Sequence, residues 1–240
     1  GKGEEWKKFS GITTSEEIRD FVQKYSLLHD AFYHYTTLGG FNAIWEKKQL
    51  ALSEMRNTND LTERKRAEES KKRIFLLCFT TPIDMSESLP LWYLYTGGEG
   101  VRLRLNEQKI TKISKAESFS IISAATGEKE LDISREDLNI SVRNVMYYKT
   151  GSAQESALVV MNGIENNSIM TDDLTGYLQQ YPNFCKDIFW AYENEVRIVA
   201  ELSEEKSNLL CPDKFYRLVP KVDSSFFSKI NVTMGPELES

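Results

Sequence analysis

The sequence predicts an α+β protein, a single domain with a mixed, largely antiparallel central sheet flanked by helices. Three observations predict it. Helix-like and strand-like stretches follow one another without a steady βα rhythm, which argues against a doubly wound parallel sheet. The apolar run Ile74-Phe75-Leu76-Leu77-Cys78-Phe79 reads as a central strand buried on both faces. Val101-Arg102-Leu103-Arg104-Leu105 alternates cleanly, as a half-exposed strand does. Residues 1–30 are expected to form a helical segment packed on the core, and residues 31–240 a single α+β domain.

The elements follow in order. Thr14-Ser15-Glu16-Glu17 is a capping box, in which the Thr hydroxyl accepts from the Glu17 amide while the carboxylate reaches back. Ile18, Phe21, Val22, Tyr25 and Leu28 then share one helix face. Phe32-Tyr33-His34-Tyr35 is aromatic and strand-like. Thr37 opens a second helix, with Leu38, Phe41, Ile44 and Trp45 expected on its buried side. Leu50 and Leu52 mark a short strand, and Asn57-Thr58-Asn59-Asp60 a turn or helix cap. A charged helix from Leu61 to Lys72 leads into the central strand, which Pro82 ends. Leu89, Leu91, Trp92 and Tyr95 suggest a short helix, and Gly97-Gly98-Glu99-Gly100 a hairpin turn. Further on, 118–122 and 142–148 read as strands, 152–164 and 171–180 as helices, and 184–192 as helix or turn. Strands are expected over 195–202, 215–219 and 230–234.

The 36 acidic and 30 basic residues leave a net charge of −6. That balance argues against gripping a nucleic-acid backbone. The basic residues Arg64-Lys65-Arg66 and Lys71-Lys72-Arg73 interleave with Glu63, Glu68 and Glu69, as on a solvated helix face. No apolar run approaches the roughly 20 residues that span a bilayer. Cys78, Cys185 and Cys211 are too few and too scattered for a disulfide framework. Together these predict a cytoplasmic protein with no membrane partner. With two histidines and no Cys-x-x-Cys, no metal site is expected. There is no Walker loop and no Gly-x-Ser-x-Gly elbow.

Three constellations remain. His34-Tyr35 closes a strand just before a helix cap, where sites are often built; the bland alternative is a core histidine. Trp92, Tyr93 and Tyr95 beside the glycine turn would suit a stacking wall for a flat ring, or simply the core. Glu193-Asn194-Glu195-Val196-Arg197, in extended backbone, would set both carboxylates and the guanidinium on one face. Val196, Ile198 and Ala200 face the core in that reading, so the charged face points to solvent or a cleft. Adjacent carboxylates with perturbed ionisation are characteristic of sites.

Several segments together resemble the bacterial domain of unknown function 2971 (DUF2971) family. They are Tyr33-His34-Tyr35-Thr36-Thr37, Leu52-Ser53, Asn57-Thr58-Asn59-Asp60 and Cys78-Phe79-Thr80. Leu91–Tyr95, Gly100–Leu103, Trp190–Arg197 and Met234-Gly235-Pro236 follow. The chain departs from that pattern at Leu61, Leu94 and Val196, where the family usually has Pro, His and Trp. The order of His-Tyr, aromatic block and late Glu-x-Glu is similar to that of ADP-ribosyltransferases. That resemblance implies NAD as substrate, with no covalently bound cofactor. His34 would hold a ribose, with Tyr35, Trp92, Tyr93, Tyr95 and Arg197 around the nucleotide. Glu195, with Glu193, would stabilise the cationic transition state. Two alternatives stand beside this reading. One is a non-catalytic binding or regulatory domain, and the other a metal-dependent nucleic-acid enzyme using Asp60 with Glu193 or Glu195. The oligomeric state is not legible in the sequence.

Overall fold

A computed structural model of the chain describes residues 1–83, 87–149 and 155–238. In chain order the elements are α1 (Lys2–Lys7), α2 (Ser15–Tyr25), β1 (Phe32–Thr36), α3 (Leu38–Lys47), β2 (Leu52–Glu54), α4 (Leu61–Glu69) and β3 (Ile74–Thr80). Next come α5 (Leu89–Thr96), β4 (Val101–Leu105), α6 (Glu107–Ser114), β5 (Ser118–Ser123), β6 (Lys129–Ser134), β7 (Leu138–Asn144) and β8 (Met146–Lys149). The remainder are β9 (Ser156–Met161), β10 (Ile164–Met170), α7 (Thr171–Gln180), β11 (Cys185–Asp187), β12 (Glu195–Leu202), α8 (Glu204–Ser207), β13 (Tyr216–Pro220) and β14 (Asn231–Met234). Helices and a large, mostly antiparallel sheet make this an α+β fold, as the sequence predicts.

The chain divides into two compact units. The first comprises Gly1–Tyr33, Phe79–Leu89 and Val142–Arg197; the second comprises His34–Cys78, Pro90–Ser141 and Ile198–Ser240.

The first unit contains a four-stranded sheet in the order β10-β9-β8-β11, antiparallel except for the parallel pair of β11 with β8. The N-terminal helices cover it through one apolar cluster that joins Trp6, Phe9, Ile18 and Phe21 to Met146, Val159, Ile169 and Tyr177. The capping box at Thr14 and Glu17 forms as the sequence predicts. Polar contacts fix the assembly where burial alone would let it slide. Asn166, buried on β10, donates to the carbonyls of Phe9 and Ile12 at 2.6 and 2.8 Å. Buried side-chain amides are costly unless bonded in this way. His29 meets Asn144 Oδ1 through Nε2 at 3.1 Å, and burial pulls its imidazole pKa down to about 4.

The expected helix over 152–164 is a β-hairpin instead. Its first residues, 152–154, lie outside the described ones, while Ser156–Met161 and Ile164–Met170 are paired strands. The turn between them is Asn162-Gly163, both with left-handed φ of 49° and 72°. Asn-Gly is the strongest short hairpin signal, and it overrides the apolar spacing that suggested a helix. The single strand expected over 142–148 is likewise broken at Val145 into β7 and β8.

The second unit carries most of a ten-stranded sheet, in the order β14-β4-β1-β3-β2-β13-β5-β6, with β12 pairing β3 and β7. Ile74–Leu77 are buried, as a central strand requires. Helix α3 differs from expectation: none of its residues is fully buried. Its rings cover one another instead, with Phe41 and Trp45 stacked at 5.8 Å and Lys48 lying 3.8 Å above Trp45. The glycine segment 97–100 joins α5 to β4, so it is not a hairpin turn. It runs beside the 235–237 segment, where Gly235 N donates to Gly100 O at 2.8 Å. A Cβ on Gly235 would come within 2.3 Å of Gly98 O, so only glycine permits that approach.

Beneath β2 and β3 sits a second polar lock. Glu54, almost wholly buried, accepts from Arg56 Nε at 2.6 Å and Arg73 Nη1 at 2.5 Å. The two guanidinium groups also donate to the carbonyls of Cys211, Pro212 and Lys214, holding the loop before β13.

Candidate functional site

The residues nominated by the sequence fall into two groups, one in each unit. In the first unit, Glu193, Glu195 and Arg197 come together around a residue the sequence did not single out, Lys186. Lys186 Nζ lies 2.5 Å from Glu193 Oε2 and 3.8 Å from Glu195 Oε2. Arg197 Nε reaches the same Glu195 oxygen at 2.8 Å, and its Nη1 donates to Asn183 O at 3.1 Å. Two carboxylates and two cations therefore form a quartet of zero net charge.

This arrangement corrects two expectations. The charged face does not point to solvent or line an open cleft. Lys186, Glu193, Glu195 and Arg197 are only 6, 1, 5 and 1 % exposed. Nor do the two carboxylates sit side by side on a strand. Glu193 ends a 3₁₀ turn (Ile188–Glu193), and Asn194 then adopts a left-handed backbone with φ 43°. The strand begins only at Glu195, so the chain bends between the two acids, and Lys186 draws them together. Asn is among the few non-glycine residues that tolerate this conformation. Its side chain repays the bend by donating to Thr81 O at 2.6 Å, while Thr81 N donates back to Asn194 O at 3.0 Å.

The surroundings hold the quartet still. Glu195 N donates to the Tyr147 hydroxyl at 2.9 Å. Burial, with the Glu195 and Glu193 carboxylates adding to it, pushes that phenol well above its ordinary pKa and keeps it protonated. Trp190 presents its ring face to Lys186 at 4.6 Å, a cation–π contact. No local signal in the sequence ties Lys186 or Tyr147 to Glu195. The parallel pairing of β11 with β8 sets Lys186 opposite Tyr147, and such a long-range register is not written in either segment.

In the second unit, His34 Nδ1 meets the Cys78 carbonyl at 3.0 Å, which fixes the ring's orientation. Burial lowers its pKa, so the imidazole is neutral at physiological pH. Tyr35 packs edge-on against Trp92 with centroids 4.9 Å apart, and Arg102 lies 6.0 Å from both rings. Trp92 is fully buried, whereas Tyr93, Leu94 and Tyr95 are exposed, and Tyr93 donates to Glu237 at 3.1 Å. Asp60 caps α4, its Oδ1 accepting from Thr62 N at 2.8 Å and Glu63 N at 3.3 Å. Among the described residues no group of three or more His, Cys, Asp and Glu is placed to hold a metal ion. No helix among them is long and apolar enough to cross a membrane.

Residues 91–198 match a family described as protein of unknown function (DUF2971). The match supports the resemblance drawn from the motifs. It spans Trp92–Tyr95 and Glu193–Arg197, and leaves His34-Tyr35 outside. No curated protein and no solved structure matches the chain.

Proposed function

We propose that this chain is an NAD-using enzyme of the ADP-ribosyltransferase type, with Glu195 as its principal carboxylate. The observation that supports it is the fixing of Glu195, whose carboxylate is held by Arg197 and Lys186 and whose amide is held by Tyr147. Cleavage of the bond between ribose and nicotinamide sends the bonding electrons out with nicotinamide. Positive charge then develops at the ribose carbon, before an acceptor or water adds there. A carboxylate that is already positioned stabilises that charge without reorganising. In this reading Arg197, in the same unit as Glu195, serves the nucleotide.

A specific observation favours a second reading, a non-catalytic binding or regulatory domain. The quartet balances its charges internally and is buried, as a lock on the first unit would be. Nicotinamide release by the purified chain separates the two. The enzymatic reading expects release from NAD that falls about 10²–10³-fold in Glu195→Gln, with circular dichroism showing the variant folded at the assay temperature. Absence of both release and calorimetric NAD binding in the wild type would leave the quartet as a structural lock.

A further inference from the structure

The large sheet of the second unit ends differently at its two edges. β6 forms one edge and carries Lys129, Glu130 and Asp132, with Asp132 paired to Lys129 at 2.8 Å and to Lys221 at 3.1 Å. Charges along an edge strand oppose the approach of another strand. β14 forms the other edge, and among the described residues it pairs with β4 alone. Its sequence, Asn231-Val232-Thr233-Met234, has no charge.

Val232 pairs with Leu103, and Met234 with Val101, so their side chains share the apolar face of β4. Leu103 and Val101 are buried, whereas Val232 and Met234 are 39 and 53 % exposed. The apolar row therefore runs out to the rim of the sheet and stops there uncovered. Gly235, next in the same ladder, donates its amide to Gly100 O at 2.8 Å. Alternation along the strand then turns the amides and carbonyls of Val232 and Met234 away from β4, to the open side.

We propose that β14 pairs antiparallel with β14 of a second copy of this chain, about a two-fold axis through Thr233. In this register Val232 of each copy lies opposite Met234 of the other, and the outward amides and carbonyls of both residues close ladder hydrogen bonds across the new edge. A slip of one residue would set an outward residue against an inward one, so the bonding pattern itself disfavours it. Each pairing of Val232 with Met234 extends the apolar row begun by Leu103 and Val101. The antiparallel sense also brings the exposed Lys229 end of each strand towards the exposed Glu237 end of the other, so unlike charges meet at both ends. Strand addition to an open edge is a general mode of association, and a self-complementary edge makes a second copy its occupant. The contact is short, so the dimer is weak and concentration-dependent. It lies within the second unit and does not depend on the NAD reading.

The test is sedimentation of the full chain at rising concentration, up to about 1 mM, with variants charged at the axis. The wild type should pass from monomer to dimer. In Thr233→Lys, and equally in Thr233→Glu, like charges face each other across the axis, and self-association should weaken about fivefold. Mixed in equal amounts, the two variants should pair at least as tightly as the wild type. Thr233 is half-buried, so Val232→Lys, at an exposed position, serves as a second probe that reports even if a Thr233 variant fails to fold. It should block pairing as the charges on β6 do. A wild type that stays monomeric throughout overturns the proposal and leaves the edge to solvent or to a strand of a different protein. Dimers unchanged in all three variants, or a mixture that pairs no better than either Thr233 variant alone, also overturn it and place the contact on another surface.

Discussion

Replacing Glu195 by Gln removes one negative charge from a site where two carboxylates balance two cations. The amide keeps the shape but leaves the two cations of the quartet with one of its two carboxylates, a net charge of one within the quartet in buried surroundings. Breaking one side of a buried ion pair costs about 3–5 kcal/mol, because the remaining charge is left desolvated. For a chain of this size, one kcal/mol moves the melting temperature by about 2–4 °C, so the variant should melt roughly 6–20 °C below the wild type. Guanidinium chloride unfolding followed by tryptophan fluorescence gives the free energy. The double variant Glu195→Gln/Arg197→Met removes charge from both sides and should recover more than half of the loss. Because the quartet is buried, the loss should barely change with added salt. A single-variant loss below about 1 kcal/mol, the worth of an exposed pair, would refute the argument that the quartet is dry and mutually dependent.

Other consequences can be checked alongside. His29 has a folded pKa of about 4, below its unfolded value. Its contribution is complete above about pH 6.5 and is lost as pH falls towards 4, by about 3 kcal/mol in all. Unfolding curves at pH 7, 5 and 4 should show this decline, and His29→Asn should flatten it. Gly163→Ala forces a side chain into a left-handed turn, with its Cβ within 2.8 Å of the Ile83 side chain. A loss of about 1–2 kcal/mol in chemical denaturation is expected, while Asn162→Gly should change little. Arg73→Met releases Glu54 and the Cys211 carbonyl together. Faster hydrogen exchange at 211–214 is the predicted sign, and unchanged exchange there would show that Arg56 alone holds the loop.

Local rules made much of the fold legible. The Thr14–Glu17 box, the apolar run at Ile74, the alternation at Val101 and the Asp60 cap each depend on a few neighbouring residues, and each forms. The hairpin of β9 and β10 is harder to read because Ala157–Met161 is apolar enough to fit a helix, and the Asn162-Gly163 turn carries the deciding information. The candidate site was half legible. Glu195 and Arg197 share a strand face as their spacing says, but Glu193 joins them only through the bend at Asn194. Lys186 enters from another strand. Burial of all four follows from long-range pairing, which no window of sequence contains.

The strand order described above also bears on how the second unit acquires its structure. Its sheet neighbours are mostly remote in sequence: β14 lies beside β4, and β13 between β2 and β5. Each such pairing closes a long loop before any contact rewards it. Chains of this topology fold in milliseconds to seconds rather than microseconds, through a transition state that must gather distant strands. Until then β2 and β4 present open edges, and the rate at which β13 and β14 arrive governs how long those edges remain available to other chains.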